Sequence, residues 1–513
     1  MTEHPSVLFT HGRFYSAADP KATAMLVRDG RIAWLGDAAD APSADRRVDL
    51  GGLLVTPAFV DAHLHATDTG LAFDGLDLSG VRSAASLLRR VTEFAATRPA
   101  GALVHGHGWD ESTWADQTPP HAGELERAAG GRRVYLSQAS VHSALVSVSL
   151  LSAAEGVAGF DPSGWVREQA HHAVRAVALD ALTPAQRTAA QRTALARAAS
   201  LGIAAVHECG GPGTSSEADL LSVLALSGQN LPQVYGYWGE LGGAERAREL
   251  GAAGAAGDLY ADGALGSRTA SLRHPYHDGD HGVGEAFVTA EQAAEHLLGC
   301  MAAGVQGGFH AIGDAAIDAV LDGFALAAKR VGVDEVRAAG HRIEHVELID
   351  KPMIARMVEF GVIASVQPVF DALWGGTDRM YAQRLGRARA LASNPIGALH
   401  ATGVPLAFGS DSPVTALDPW SVVVAAAAPT NPAHRMSVRS AFAASSRGGW
   451  RAAGIDDAGV LAPGKRATFA VWETPSGTTG GLPTLLPDVD GVIPDRPVCR
   501  RTVLAGDTIF DGA

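Results

Sequence analysis

The chain has 513 residues, 47% of them apolar and 19% charged, so a large core can form and disorder is not expected. The formal charge of 41 − 55 = −14 speaks against a general nucleic-acid or membrane-surface binder, since both need basic patches. Three cysteines supply no disulfide framework, and 20 histidines against four lysines (Lys21, Lys329, Lys351, Lys465) direct attention to metal ligands and acid–base groups.

Met1 to Pro20 has no charged segment followed by an apolar run, and no window approaches 18 uninterrupted apolar residues, so the cytoplasm is the expected location. Residues 5–56 read as short strands, Ser6–Thr10, Ala24–Val27 and Arg31–Leu35, with a hairpin at Asp29-Gly30. The C-terminal end has the same texture, with strands at Ala467–Trp472 and Arg501–Leu504. The two ends together predict a small composite β-sandwich from residues 1–56 and 460–513.

Between them helix and strand alternate. Strands are expected at Leu53–His65, Ile203–Cys209, Gln233–Trp238, Asp258–Asp262, Val305–His310, His341–Val346, Val362–Gln367 and Val404–Asp411. Helices precede most of them, at 189–200, 220–226, 245–250, 291–303, 315–330, 353–360 and 395–402. Eight parallel βα units predict an α/β fold of the closed (β/α)₈ type over 57–65 and 186–459, with an open doubly wound sheet as the alternative. Residues 66–185 break the rhythm. They form an insertion after strand one with strands at Leu103–His107 and Val134–Leu136, either a substrate-covering lid or an oligomer-forming element, for which a dimer is the simplest state.

Most of the expected strands end in a chemically capable residue: His65, Glu208, Asp262, His310, His345, Gln367 and Asp411. In a barrel these ends converge on the C-terminal face, where active sites lie. His63 and His65 stand two apart on a strand, so both imidazoles face one side. A pair so spaced is expected by chance in a histidine-rich chain, and His105/His107 is the internal control. With His310, His345 and Asp411 at later strand ends, the pair completes a nitrogen and oxygen donor set suited to Zn²⁺ or another borderline divalent metal.

Several strings carry a family resemblance. Residues 261–270 (ADGALGSRTA), His310-Ala311-Ile312-Gly313-Asp314, Arg342-Ile343-Glu344-His345 and Gly409-Ser410-Asp411-Ser412-Pro413 resemble the amidohydrolase superfamily, in its YtcJ-like branch, which includes N-substituted formamide deformylase. Gly108-Trp109-Asp110-Glu111, Val141-His142-Ser143 and Pro463-Gly464-Lys465 match the same branch. The resemblance covers nearly the whole chain and implies a metal-dependent barrel that hydrolyses an amide-like C–N bond. It also exposes a departure. The branch carries a lysine four residues before the Asp-Gly of strand four, carbamylated so as to bridge two metals. Here that position is Asp258, and no lysine lies near a strand end. One ion is therefore expected, held by His63, His65, His310 and Asp411, with Asp258 as a ligand in question. A two-ion centre bridged by Asp258 is the alternative.

The implied chemistry is hydrolysis by metal-activated water. Asp411 would take the water's proton and return it to the departing nitrogen, and His345 or His310 would help to polarise the carbonyl. Arg268, Asp262, Trp109, His142, Gln367 and Trp374 are the candidate substrate contacts. A Cys209–His207 nucleophile has no other support, and Gly210-Gly211-Pro212-Gly213 lacks the residues of a phosphate loop. The competing functions are a deaminase or cyclic-amide hydrolase on the same barrel, and a non-catalytic small-molecule-binding relic.

Overall fold

The structure, a computed structural model, describes residues 5–138, 143–279, 282–488 and 491–512. The chain divides into two compact units, one of residues 1–65, 195–213 and 224–513, the other of residues 66–194 and 214–223.

In the first unit both chain ends build a sandwich. One sheet is antiparallel and parallel in turn, from Val7–Thr10, Ala24–Arg28, Arg31–Gly36 and Arg46–Asp49. The other joins Arg13–Phe14 and Leu54–Pro57 to Phe469–Glu473, Val498–Leu504 and Asp507–Asp511. Phe9, Met25, Ile32, Val55, Phe469 and Val503 fill the space between them. The expected hairpin at Asp29-Gly30 is present, with φ of 48° and 71°, the paired left-handed conformation a two-residue turn of this hand requires.

Eight parallel strands follow in sequence order: Phe59–Leu64, Ile203–Gly210, Gln233–Trp238, Gly254–Ala255, Gln306–Ala311, Arg342–His345, Ile363–Val366 and Leu406–Phe408, here barrel strands one to eight. Strand one meets the segment after strand eight through a parallel bridge, Leu64 to Ser412, and through Asp411 N–H to His63 O at 2.8 Å. The sheet thus curls nearly closed, as the alternating pattern predicts. Two boundaries differ from expectation. The run 53–65 is two strands: Leu54–Pro57 belongs to the sandwich and Phe59–Leu64 to the barrel. Strand four is only Gly254–Ala255, and Asp258–Asp262 is an irregular continuation paired to strand five by Ala261 N–H to His310 O and His310 N–H to Leu259 O, both 2.8 Å. Gly257, at φ +73°, breaks the strand between them.

Sandwich and barrel share a core rather than a linker. Trp472 of the sandwich packs edge-on to Phe59 (5.8 Å between ring centroids) and to Trp420 (5.2 Å), and its indole N–H reaches Thr56 Oγ1 at 2.9 Å.

The second unit has its own five-stranded sheet, ordered Trp165–Arg167, Ser143–Val146, Val134–Gln138, Val104–Trp109, Leu76–Asp77. It contains both strands expected in the insertion. Leu87, Val91, Trp109, Leu125 and Leu136 are among its core residues.

Candidate metal centre

The end of strand one is locked to the turn after strand eight. Asp61 Oδ1 accepts from His63 N–H (3.2 Å) and Ser410 N–H (2.9 Å). A side chain at Gly409 would sit 2.5 Å from His63 N, so only glycine allows this approach. His345, Val346 and Asp411 all have positive φ (71°, 52° and 56°). Such backbone costs on the order of 1–3 kcal/mol per residue and gathers at functional sites. Here it turns His345 and Asp411 out of strand register.

Four histidines and two carboxylates converge. His63 Nε2 lies 3.3 Å from Asp258 Oδ1 and 3.6 Å from Asp411 Oδ1. His65 Nε2 lies 3.1 Å from Asp411 Oδ1 and 3.3 Å from Asp258 Oδ2. His310 Nδ1 and His345 Nε2 lie 3.7 and 3.9 Å from Asp258 Oδ1. The second nitrogen of three imidazoles is occupied: His63 Nδ1 by Glu344 Oε2 (3.0 Å), His310 Nε2 by Gly263 O (3.2 Å), His345 Nδ1 by Gln367 Oε1 (2.8 Å). Each of those contacts accepts an N–H, so in the neutral ring the opposite nitrogen carries a lone pair. His63 Nε2, His310 Nδ1, His345 Nε2 and Asp258 Oδ1 are all buried without a hydrogen-bond partner. Unpaired buried polar atoms are costly, and four aimed at one place fit a divalent ion. His63, His65 and Asp411 form one compact donor triple, and His63, Asp258 and His345 another.

Burial acts on every group of the site, and neighbouring charges oppose it at Asp258 and His65. Burial disfavours the carboxylate of Asp258, yet the field of His63 and the close approach of the His310, His345 and His63 imidazoles hold it well below the usual range. Burial likewise opposes charge on His65, but Asp411 and Asp258 raise it to about 9. His345 is lowered by burial and by His310, which favours its neutral form. Its free atom is thus a lone pair. That suits it to holding a metal ion.

Sequence reasoning missed the layer beneath. Arg342 and Glu344, both 0% exposed, are ion-paired inside the barrel, and Arg342 also donates to His207 Nδ1 (2.9 Å), Ala62 O (2.7 Å) and Ser365 Oγ (2.9 Å). The available signal was two charges at i and i+2 on a strand with Ile343 between them, which places both on one face. Burial pushes the nearby Cys209 thiol up to about 11, which removes it as a nucleophile at neutral pH.

The candidate substrate contacts fare differently. Arg268 is engaged by Asp278, Nε to Oδ1 at 3.1 Å and Nη2 to Oδ2 at 2.6 Å, so its guanidinium is not available as a carboxylate clamp. Asp262 accepts from the N–H groups of Ser271, Ile312 and Gly313 (2.8, 3.0 and 2.7 Å) and organises the loops after strands four and five. Trp109 is 0% exposed inside the insertion's core, its indole N–H given to Leu136 O at 2.8 Å. Gln367 orients His345. Trp374, part-exposed on the helix Pro368–Trp374, joins the site through Phe370, whose ring lies parallel to His345 at 6.0 Å. His142 lies outside the described residues. The control pair behaves as a control: His107 Nε2 meets Ala72 O at 2.8 Å, His105 stacks on Tyr135, and neither joins a metal-holding triple among the described residues.

Glu347, two residues past His345, is buried with Oε2 unpartnered, and burial raises its carboxyl to about 7. Its proton is held more tightly folded than unfolded. The stability linked to that proton is complete below the ordinary carboxyl value and is lost as pH rises through about 7. Glu347→Gln should therefore stabilise the protein at pH 8, by up to about 3 kcal/mol, with the gain fading towards pH 5. Thermal melts across that range check it, and a gain independent of pH would contradict the assignment.

A model of the Amidohydrolase family matches residues 46–510. The chain is 25% identical to "Putative amidohydrolase YtcJ" of Bacillus subtilis (strain 168), over 78% of this chain and 79% of that protein. It is 24% identical to "N-substituted formamide deformylase" of Arthrobacter pascens, over 94% and 96%. The crystal structure of an uncharacterized metal-dependent hydrolase from Pyrococcus furiosus superposes with a TM-score of 0.76 at 26% identity, covering 91% of this chain and 98% of the other. With barrel, sandwich and strand-end histidines in place, the chain belongs to the amidohydrolase family, in its YtcJ-like branch.

Proposed function

We propose that this hydrolase cleaves an amide-type C–N bond in a small-molecule N-substituted amide or formamide, with zinc or a similar divalent ion. The observation that carries the reading is the convergence of four buried, unpartnered donor atoms, on His63, Asp258, His310 and His345, beside His65 and Asp411. The donors are imidazole nitrogens and carboxylate oxygens, the set borderline divalent ions take. When bound there, such an ion supplies a Lewis acid that polarises a carbonyl and activates water near neutral pH.

The protein's own groups do the rest. Asp411, set by its left-handed backbone and by the 3.1 Å contact with His65, takes the attacking water's proton and returns it to the departing nitrogen. Gln367 and Glu344 hold His345 and His63 in the tautomers that present lone pairs. The formamide choice leans on the likeness to N-substituted formamide deformylase. An amide without a carboxylate is favoured because Arg268 is already paired with Asp278. Three free, buried cysteines suit the cytoplasm, and among the described residues no helix is long and apolar enough to cross a membrane.

The test is a panel of N-substituted formamides, N-acyl amino acids, cyclic amides and aminopurines, assayed with and without a chelator. Formamide or amide cleavage that a chelator stops and zinc restores is the expected result. Turnover of only aminopurines or cyclic amides would replace the bond assignment, and chelator-resistant turnover would remove the metal from it.

A further inference from the structure

We propose that Thr269 is a positioning residue for His310, acting through the peptide unit between Gly263 and Ala264; the proposal rests on the metal-dependent reading above. His310 Nε2 donates to Gly263 O at 3.2 Å, while its Nδ1 faces Asp258 Oδ1 at 3.7 Å, beyond hydrogen-bond reach. Asp262 Oδ1 stands 3.9 Å from Nε2 and accepts the Ile312 N–H instead, at 3.0 Å. The Gly263 carbonyl is therefore the group that places the ring proton on Nε2 and leaves the lone pair on Nδ1.

A carbonyl holds a ring in place only if its own peptide plane is fixed. The N–H of the same peptide unit, on Ala264, is given to Thr269 Oγ1 at 3.1 Å. Peptide planarity couples the two ends, so turning the N–H off Thr269 also turns the carbonyl off His310. The hydroxyl is fixed in its turn. Thr269 Oγ1 and Ser267 Oγ lie 2.7 Å apart, and Ser267 Oγ donates to Ala264 O at 3.2 Å. Thr269 thus gives its proton to Ser267 and keeps a lone pair for the Ala264 N–H. Backbone bonds close the turn: Gly263 N–H to Thr269 O at 3.2 Å and Thr269 N–H to Ala264 O at 3.1 Å. A Cβ at Gly263 would collide with Thr269 Oγ1, so only glycine admits the hydroxyl so close. Arg268, between the two hydroxyl residues, has φ +61° and is held by the Asp278 carboxylate, which Arg384 also engages. Ser267, Arg268 and Thr269 in this way act on the metal centre without touching it.

The experiment uses the full chain with nitrogen-15-labelled histidine, stripped of metal by chelator and then titrated with Zn²⁺. Long-range proton–nitrogen spectra of the stripped protein separate the two imidazole tautomers, and His310→Asn identifies the His310 signals. In the wild type His310 should carry its proton on Nε2. Thr269→Val, which keeps the shape of the side chain but not its hydroxyl, should give a mixture of tautomers and weaken Zn²⁺ by about 10-fold, the lower end of what loss of an outer partner brings. Thr269→Ser should restore both. Thr269→Val with the wild-type His310 spectrum and Zn²⁺ affinity would overturn the proposal and leave the hydrolase reading standing. So would a Thr269→Ser that behaves like Thr269→Val, because the methyl group and not the hydroxyl would then hold the turn. A wild-type His310 protonated on Nδ1 would overturn it without any variant. A wild type that binds no Zn²⁺ would overturn the metal-dependent reading, and with it the role of Thr269 at a metal centre.

Discussion

Asp411→Asn should give a folded, metal-binding protein with turnover reduced by at least about 10³-fold, the scale that positioned acid–base groups contribute. The amide keeps an oxygen that can face His65 and His63 but cannot accept a proton from water or deliver one to the leaving nitrogen. Its backbone position, with N–H to His63 O at 2.8 Å and φ of 56°, tolerates asparagine better than almost any other residue. The variant should therefore keep its fold, and circular dichroism can verify that. Metal affinity should fall while staying measurable, because His63, His65, His310, His345 and Asp258 remain. The discriminating measurement is single-turnover kinetics on protein with matched metal content. Unchanged turnover would remove Asp411 from the chemistry, and a loss restored fully by excess metal would reduce it to a ligand.

The donor set was legible in the sequence because each member stands at a strand end, and strand ends in a closed parallel barrel meet at one face. His63 and His65 needed only the period of two. His310, His345 and Asp411 needed the order of βα units, and Asp258 needed the comparison with the family's lysine. The supporting layer was harder to read. Arg342 and Glu344 stand in the quoted string beside His345, but their roles depend on which residues face them across the barrel: His63 and His207, on strands one and two. Two of the candidate substrate contacts have partners that the sequence did not show, for a related reason. Arg268 looked free until Asp278, ten residues on, folded back on it. Asp262, a candidate substrate contact, takes three backbone N–H groups that only the folded loops bring to it. Strand four was mis-bounded because a Gly-rich run ends regular pairing after two residues while the extended path continues, and hydrophobic periodicity does not report that.

Arg342→Met should be the most destabilising of the substitutions considered, at about 3–5 kcal/mol, the loss that follows when one partner of a buried ion pair is removed. Arg342 sits at 0% exposure with its charge spread over Glu344, His207, Ala62 O and Ser365, and its guanidinium lies 4.3 Å from the centre of the Tyr237 ring. Burial would otherwise raise the Glu344 carboxyl, but Arg342 first and His63 second hold it well below its ordinary value. With the arginine gone, Glu344 keeps its charge at high cost or takes up a proton. The native state then binds that proton more tightly than the unfolded chain, so the loss should be larger at pH 8 than at pH 5. Denaturant unfolding of metal-stripped protein at both values reads this directly. The double variant Arg342→Met/Glu344→Gln removes the stranded charge and should recover much of the stability. It should not recover metal affinity, which stays down by about 10–100-fold because His63 Nδ1 has lost its carboxylate. A double variant as unstable as the single would show that the arginine's backbone and Ser365 contacts, not its charge, hold the barrel interior together. One that binds metal like the wild type would show that Glu344 does not set the tautomer of His63.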